Sequence, residues 1–181
     1  LPGDEYVPKP KYKTTRAIDI DVPPDIVYPW LAQIGQGRGG FYSYTWLENM
    51  CGCKIENADK IIKEFQDLEI GDTVSLHPDG PEMPVVDIRP GEYIVLGGGP
   101  EMCPESKGRG FDDPNFAASW AFVIKAREEC LSRLYIRFRA DYTRNPATCM
   151  FFHIPLTIAH YFMEKKMLGG IEENLRLFDV N

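Results

Sequence analysis

FHIPLTIAHYFMEKKMLGGIEENLRLF, residues 152–178, is the stretch whose reading decides the fold. Its apolar residues Leu156, Met163, Met167, Ile171, Leu175 and Phe178 recur at helical spacing. At about 100° per residue these fall within roughly 120° of a helical wheel, the width of a stripe that faces a core. His160 lies in the middle of that stripe, and Glu164 one turn on, at its edge. Nearly everything upstream reads as strands. A long amphipathic helix closing a strand-rich chain predicts a curved sheet wrapped around one helix, with a cavity between the two.

The strands announce themselves by alternation. Thr14 to Val22 sets Arg16, Ile18, Ile20 and Val22 against Ala17, Asp19 and Asp21, the period of a half-buried strand. Thr73 to His77 reads as a strand, PDGPEMP (78–84) as turn chemistry, and Val85–Ile88 with Tyr93–Leu96 as a hairpin around Arg89-Pro90-Gly91-Glu92. Phe116 to Ala126 places Trp120, Phe122 and Ile124 on one face. Leu131 to Tyr142 points Leu134, Ile136, Phe138 and Ala140 inward, with Arg133, Tyr135, Arg137, Arg139 and Asp141 on a solvated face.

Helices follow the first strand. Pro23-Pro24 opens one, where a missing N–H costs nothing. It is expected to run to Ile34, with Gly35 as C-cap and Pro29 as an internal conflict. Ser43 is expected to cap a second short helix through Met50. One more short helix is expected at Ala58 to Glu64, and the final helix after Pro146. Residues 1–12 read as an extended arm and 13–181 as one domain. Strand, two short helices, antiparallel strands and a long helix make an α+β chain with its helices on one side of the sheet.

Composition narrows the function. Across 181 residues, 44% are hydrophobic and 26% charged, which suits one soluble domain with a sizeable core. The net charge of −7 argues against nucleic acid or an anionic membrane as main partner, since both demand clustered Lys and Arg. The longest apolar run, Cys149 to Met163, is interrupted by His153, Pro155 and His160 and is too short to span a bilayer. Without a signal peptide in these residues a cytoplasmic protein is expected. Leu1 in place of Met fits a processed or partial chain, so a membrane-anchored form with an upstream leader stays open. Cys51, Cys53, Cys103, Cys130 and Cys149 form no CxxC pair and read as reduced, mostly buried hydrophobes, with redox or metal use of Cys51 and Cys53 as the alternative. His77, His153 and His160 lack metal-ligand spacing, and no motif asks for a cofactor.

The stretches TTRAIDIDVPPDIVYPWLAQIGQGRGGFYSYTWLEN (14–49), ADKIIKEFQDLEIGDTV (58–74), WAFVI (120–124), RFRADY (137–142) and AHYFMEKKMLGGI (159–171) resemble the START-related superfamily of polyketide cyclases, dehydrases and lipid carriers (SRPBCC), and within it a bacterial-type group. The opening LPGDEYVP resembles the end of a leader that such proteins carry. The resemblance implies a helix-grip fold, a seven-stranded sheet gripping the C-terminal helix around an apolar cavity. Superfamily members include ligand carriers, cyclases and hydrolases, so fold alone does not fix activity.

His160 is the sharpest chemical candidate. On an apolar helix face it offers an imidazole to the cavity, and Glu164 at i+4 could orient it as a general base. The competing reading is a core histidine satisfied by Glu164 or a carbonyl. Arg38, in GQGRGG, suits either an anion beside glycine N–H groups or a pin to a carboxylate such as Asp67 or Asp141. No strand precedes the glycines as a dinucleotide fingerprint requires. Tyr42, Tyr44 and Trp46 are candidates for a cavity entrance or for packing, Trp30 and Trp120 for core, with Trp120 also a candidate ligand contact. Phe122, Met163 and Met167 are candidate lining, and Asp141 and Tyr142 candidate polar groups. The leading expectation is binding of a small hydrophobic molecule, lipid-like or polyketide-like, gated by loops 35–42 and 97–115. A cyclase- or dehydratase-type enzyme based on His160, with Tyr142 or Arg38 at an enolate oxygen, comes second. A sensor or interaction module behind a membrane leader comes third.

Overall fold

The alternating stretch near the N-terminus forms strand β1, Tyr12–Ile20, in the computed structural model, which describes residues 1–50, 52–99, 101–102, 115–128, 130–143 and 154–178. Five further strands follow: β2 Thr73–Ser75, β3 Glu82–Arg89, β4 Tyr93–Gly98, β5 Ala117–Glu128 and β6 Leu131–Asp141. They build one antiparallel sheet in the order β1-β6-β5-β4-β3-β2. The helices are α1 Pro24–Ala32, α2 Thr45–Met50 and α3 Ile154–Phe178. This is an α+β helix-grip architecture with six strands among the described residues, where seven were expected. The sheet is longest at its centre, where β5 and β6 run in register from Ala117↔Asp141 to Ala126↔Ser132 before a bulge.

Periodicity placed the elements, and turn chemistry set their ends differently from expectation. Helix α1 stops at Ala32 with Gln33 as its C-cap, two residues early. Gly35 is free to take φ +131° and bridges to Gly40, closing a loop rather than capping a helix. Pro29 is accommodated inside α1. Ser43 does not cap α2; its hydroxyl donates to the carbonyl of Met163 at 3.4 Å. The helix expected at 58–64 shrinks to a single 3-10 turn, Lys63–Phe65. The PDGPEMP turn ends early, because Glu82 to Pro84 already pair with β2.

Helix α3 lies against the sheet. Met167, Leu168, Ile171 and Leu175 are buried in one core with Leu134, Ile136 and Phe138 of β6, Trp120 and Phe122 of β5, and Val27, Trp30 and Leu31 of α1. The start of the final helix expected after Pro146, and residues 152 and 153 of the stripe, lie outside the described residues, as does most of loop 97–115. Cys53 is buried as expected, whereas Cys130 is an exposed free thiol in the β5–β6 turn.

The arm and the outer face of the sheet correct each other's reading. Residues 1–11 do not hang free. Gly3 packs on Val95 and Ala121, Val7 is buried, and the Tyr6 hydroxyl donates to the carbonyl of Val86. Arg139, expected on a solvated face, is only 7% exposed. Its guanidinium donates to the carbonyls of Val7 and Pro8 and lies 3.3 Å from Asp4, which also takes two bonds from Arg137. Burial works to raise the Asp4 pKa, but the hydrogen bonds and charge of Arg137, with Arg139, outweigh it and hold the carboxyl below its ordinary range. Alternation alone assigned these arginines to water because it cannot see a segment from elsewhere in the chain laid over that face.

Two adjacent glycines of α3 test how the helix is seated. A Cβ on Gly170 would fall inside contact distance of the Tyr42 carbonyl, whereas one on Gly169 meets nothing within 4 Å. In an exposed helix Gly→Ala gains up to about 1 kcal/mol. Gly169→Ala is therefore expected to stabilise the protein by several tenths of a kcal/mol or more in urea denaturation, and Gly170→Ala to destabilise it despite the same gain in propensity. Equal effects would place α3 elsewhere.

Candidate functional site

A cavity of about 170 Å³ lies where α3 crosses the sheet, lined by Phe41, Leu76, Trp120, His160, Met163, Glu164 and Met167. Its surface is almost wholly apolar, as the helix stripe and aromatic strands foretold. It is smaller than the several hundred Å³ expected for a drug-sized guest. Aromatic packing fills the rest of the space: Trp120 stacks on Phe122 at 4.9 Å between ring centroids, and the His160 ring sits 4.5 Å from Phe138 and 5.8 Å from Tyr12.

His160 is in the cavity wall, with 20% of its side chain exposed. Its Nδ1 is shut off from water and has no hydrogen-bond partner. Oε1 of Glu164 is 3.5 Å away, within ion-pair distance but longer than a normal hydrogen bond. The i+4 spacing brings the two groups together without a hydrogen bond between them. Glu164 is 2% exposed and turned toward β1 instead. There it accepts from the Thr14 hydroxyl at 2.9 Å and from Nε of Arg16 at 2.9 Å. A buried carboxylate needs such partners, and β1 supplies them because Thr14 and Arg16 lie on its inward face.

Loop 35–42 brings Phe41 into the cavity wall, but its other candidates play structural parts. Arg38 is pinned, though not to Asp67 or Asp141: one terminal nitrogen donates to the carbonyls of Ala32 and Phe65, and the guanidinium lies 4.5 Å from the Phe65 ring centroid. Tyr42 is buried away from the cavity. Its hydroxyl donates to the carbonyl of Trp30 and accepts from Gln33, and burial drives its pKa up against the effect of the Gln33 bond. Trp30 is core, edge-on to Tyr42. Trp46 is 66% exposed, edge-on to Tyr44 on the outside of α2. Phe122 is fully buried behind Trp120, and Tyr142 is buried outside the lining, its carbonyl held by Lys11. Asp141 is paired with Lys11 at 2.8 Å. Of the candidate ligand contacts, only Trp120, Met163 and Met167 line the cavity.

The residues that shape the loop were not anticipated. Gln33 bonds Tyr42, the carbonyl of Lys60 and the N–H of Ile62. Asn57 accepts from the Tyr42 N–H and donates to Ser43 and Thr45. Both are amides in coil, where no periodicity marks them. Phe41 and Leu76 of the wall carried a weak signal, each being an apolar residue at the end of a glycine loop or strand. Among the described residues, no group of three or more His, Cys, Asp or Glu could hold a metal ion, and no helix is long and apolar enough to cross a membrane.

No family model matches the chain, and no curated protein matches it in sequence. Solved structures do. An HSP90 activator from Plasmodium falciparum is similar with a TM-score of 0.51 at 12% identity, over 90% of this chain and 95% of that one. A conserved protein from Geobacillus kaustophilus is similar with a TM-score of 0.48 at 12% identity, over 91% and 95%. A polyketide-cyclase-like protein from Corynebacterium glutamicum gives 0.39 at 19% identity, over 94% and 90%. Identities this low speak to the fold alone. The chain has a helix-grip fold, shared in overall outline with the HSP90 activator.

Glu164 is the residue on which the site's geometry turns. Removing one partner of a buried ion pair commonly costs 3–5 kcal/mol, but Arg16 keeps a quarter of its side chain exposed and can find water. Glu164→Ala is therefore expected to cost about 2 kcal/mol in urea denaturation. The double variant Arg16→Met/Glu164→Met should recover most of that, because no charge is left unpaired. A cost below about 0.5 kcal/mol would remove Glu164 from this role.

Proposed function

We propose that the protein binds a small hydrophobic molecule in the cavity between the sheet and α3. The observation that carries this reading is the cavity itself: about 170 Å³, walled by Phe41, Leu76, Trp120, Met163 and Met167. An apolar cavity of about 150 Å³ accepts a guest as large as benzene. The occupant is thus one aromatic ring, or a short stretch of acyl or polyketide-like chain, and not a whole lipid. Methionines suit such a wall because they adapt to guests of different outline.

The enzymatic reading keeps one observation in its favour, an imidazole in the wall of an apolar cavity. Against it, Glu164 takes its hydrogen bonds from Arg16 and Thr14, and Nδ1 makes none that would set the tautomer.

A titration of benzene, indole, naphthalene and a long-chain fatty acid against the intrinsic fluorescence tests the proposal, since Trp120 is part of the wall. Benzene is expected to bind with Kd of about 0.1–1 mM, the two-ring guests more weakly, and the fatty acid no better. Met163→Trp, which fills the mouth from a half-buried position, should abolish binding while the far-UV circular dichroism stays unchanged. Undiminished binding in that variant, or none in the parent protein, would refute the reading.

A further inference from the structure

The glycine-rich loop forms a second concavity, of about 250 Å³, between residues 36–40 and 54–56. Its chemistry is opposite to that of the apolar cavity. Arg38 and Lys54 bring two positive charges to its wall and Glu56 one negative charge. Neither cation has a carboxylate within 4.0 Å among the described residues.

Arg38 is the informative group. The carbonyls of Ala32 and Phe65 and the Phe65 ring fix its position, but none of them carries a charge to balance it. Its Nε is buried without a hydrogen-bond partner. Burial pulls its pKa down, and the more distant charge of Asp72 only works in the opposite direction. Among the described residues, that guanidinium has no carboxylate within 4.0 Å. Lys54 stands on the facing segment, at φ +52°. Gly37, at φ +72°, has nothing within 4 Å of where a side chain would start, so the backbone at this rim is unscreened.

We propose that this pocket binds a small oxyanion, a carboxylate or a phosphate, whose charge Arg38 and Lys54 balance together. The size admits an acid or phosphate group and not a nucleotide. Glu56 opposes the anion and limits its affinity. The site is independent of the guest in the apolar cavity, although one loop serves both: Gly40 lines this pocket, and Phe41, next in the chain, lines the other.

Amide chemical shifts of the full 15N-labelled chain provide the test. Sodium phosphate and sodium acetate are titrated separately, with sodium chloride holding ionic strength constant. Saturable shifts confined to residues 36–40 and 54–56 are expected with at least one of them; the stronger binder assigns the class. Lys54→Asn, a residue that tolerates the left-handed backbone, should weaken binding about fivefold, and Glu56→Gln should strengthen it by about twofold or more. Dispersed spectra of both variants report that they fold. The proposal is overturned by the absence of saturable shifts with either anion, by equal shifts in chloride alone, or by unchanged affinity in Lys54→Asn.

Discussion

A single buried carboxylate ties the last helix to the first strand. Glu164 bonds Thr14 and Arg16 across 150 and 148 residues of sequence, and it does so beside the cavity. Apolar contact alone would let α3 slide or rotate over the sheet, because hydrophobic burial has no direction. A charge-assisted pair with a hydroxyl beside it has one geometry. On the same helix Met163, Met167 and His160 share the cavity wall with Trp120. The close seat of Gly170 on the Tyr42 carbonyl fixes the other end of the contact. The helix is pinned at two heights, and the cavity lies above the tighter one.

Much of this architecture could be read from the chain. Period-two alternation located β5 and β6 almost to the residue, and the helical stripe located α3 and two of its cavity residues. What failed was everything that depends on a partner far along the chain. Glu164 was paired with His160 because both sit on one helix face; its hydrogen-bond partners are on β1. Arg139 was given to water because it alternates with core residues, and the arm that covers it is distant in sequence. Arg38 was offered a carboxylate and takes carbonyls, which every residue carries and no pattern reveals. Gln33 and Asn57 hold the coil between α1 and β2 through bonds that leave no periodic trace. Element ends moved for a related reason: Gly35 and Ser43 look like caps locally, but a bridge to Gly40 and a bond to Met163 claim them.

Among the described residues, the apolar void and the glycine-loop pocket lie on either side of one loop. The outer face of the sheet is closed by the arm, through Asp4, Arg137 and Arg139. The inner face is closed by α3, except at the small apolar void. The glycine-rich loop, shaped by backbone conformations that glycine adopts without strain, separates that void from a polar pocket whose cations have no carboxylate within 4.0 Å among the described residues. Two small and dissimilar recesses on either side of one loop are what this sequence adds to a widely shared fold.

The position of a guest relative to the methionines tests the central claim most directly. The chain has 6 methionines, so selective 13C labelling of their methyl groups gives a spectrum simple enough to assign. With benzene present, intermolecular nuclear Overhauser effects should connect its protons to the methyls of Met163 and Met167 and not to that of exposed Met50. Effects absent from both Met163 and Met167 would contradict a helix tied to β1 by Glu164 with room for a guest beneath it.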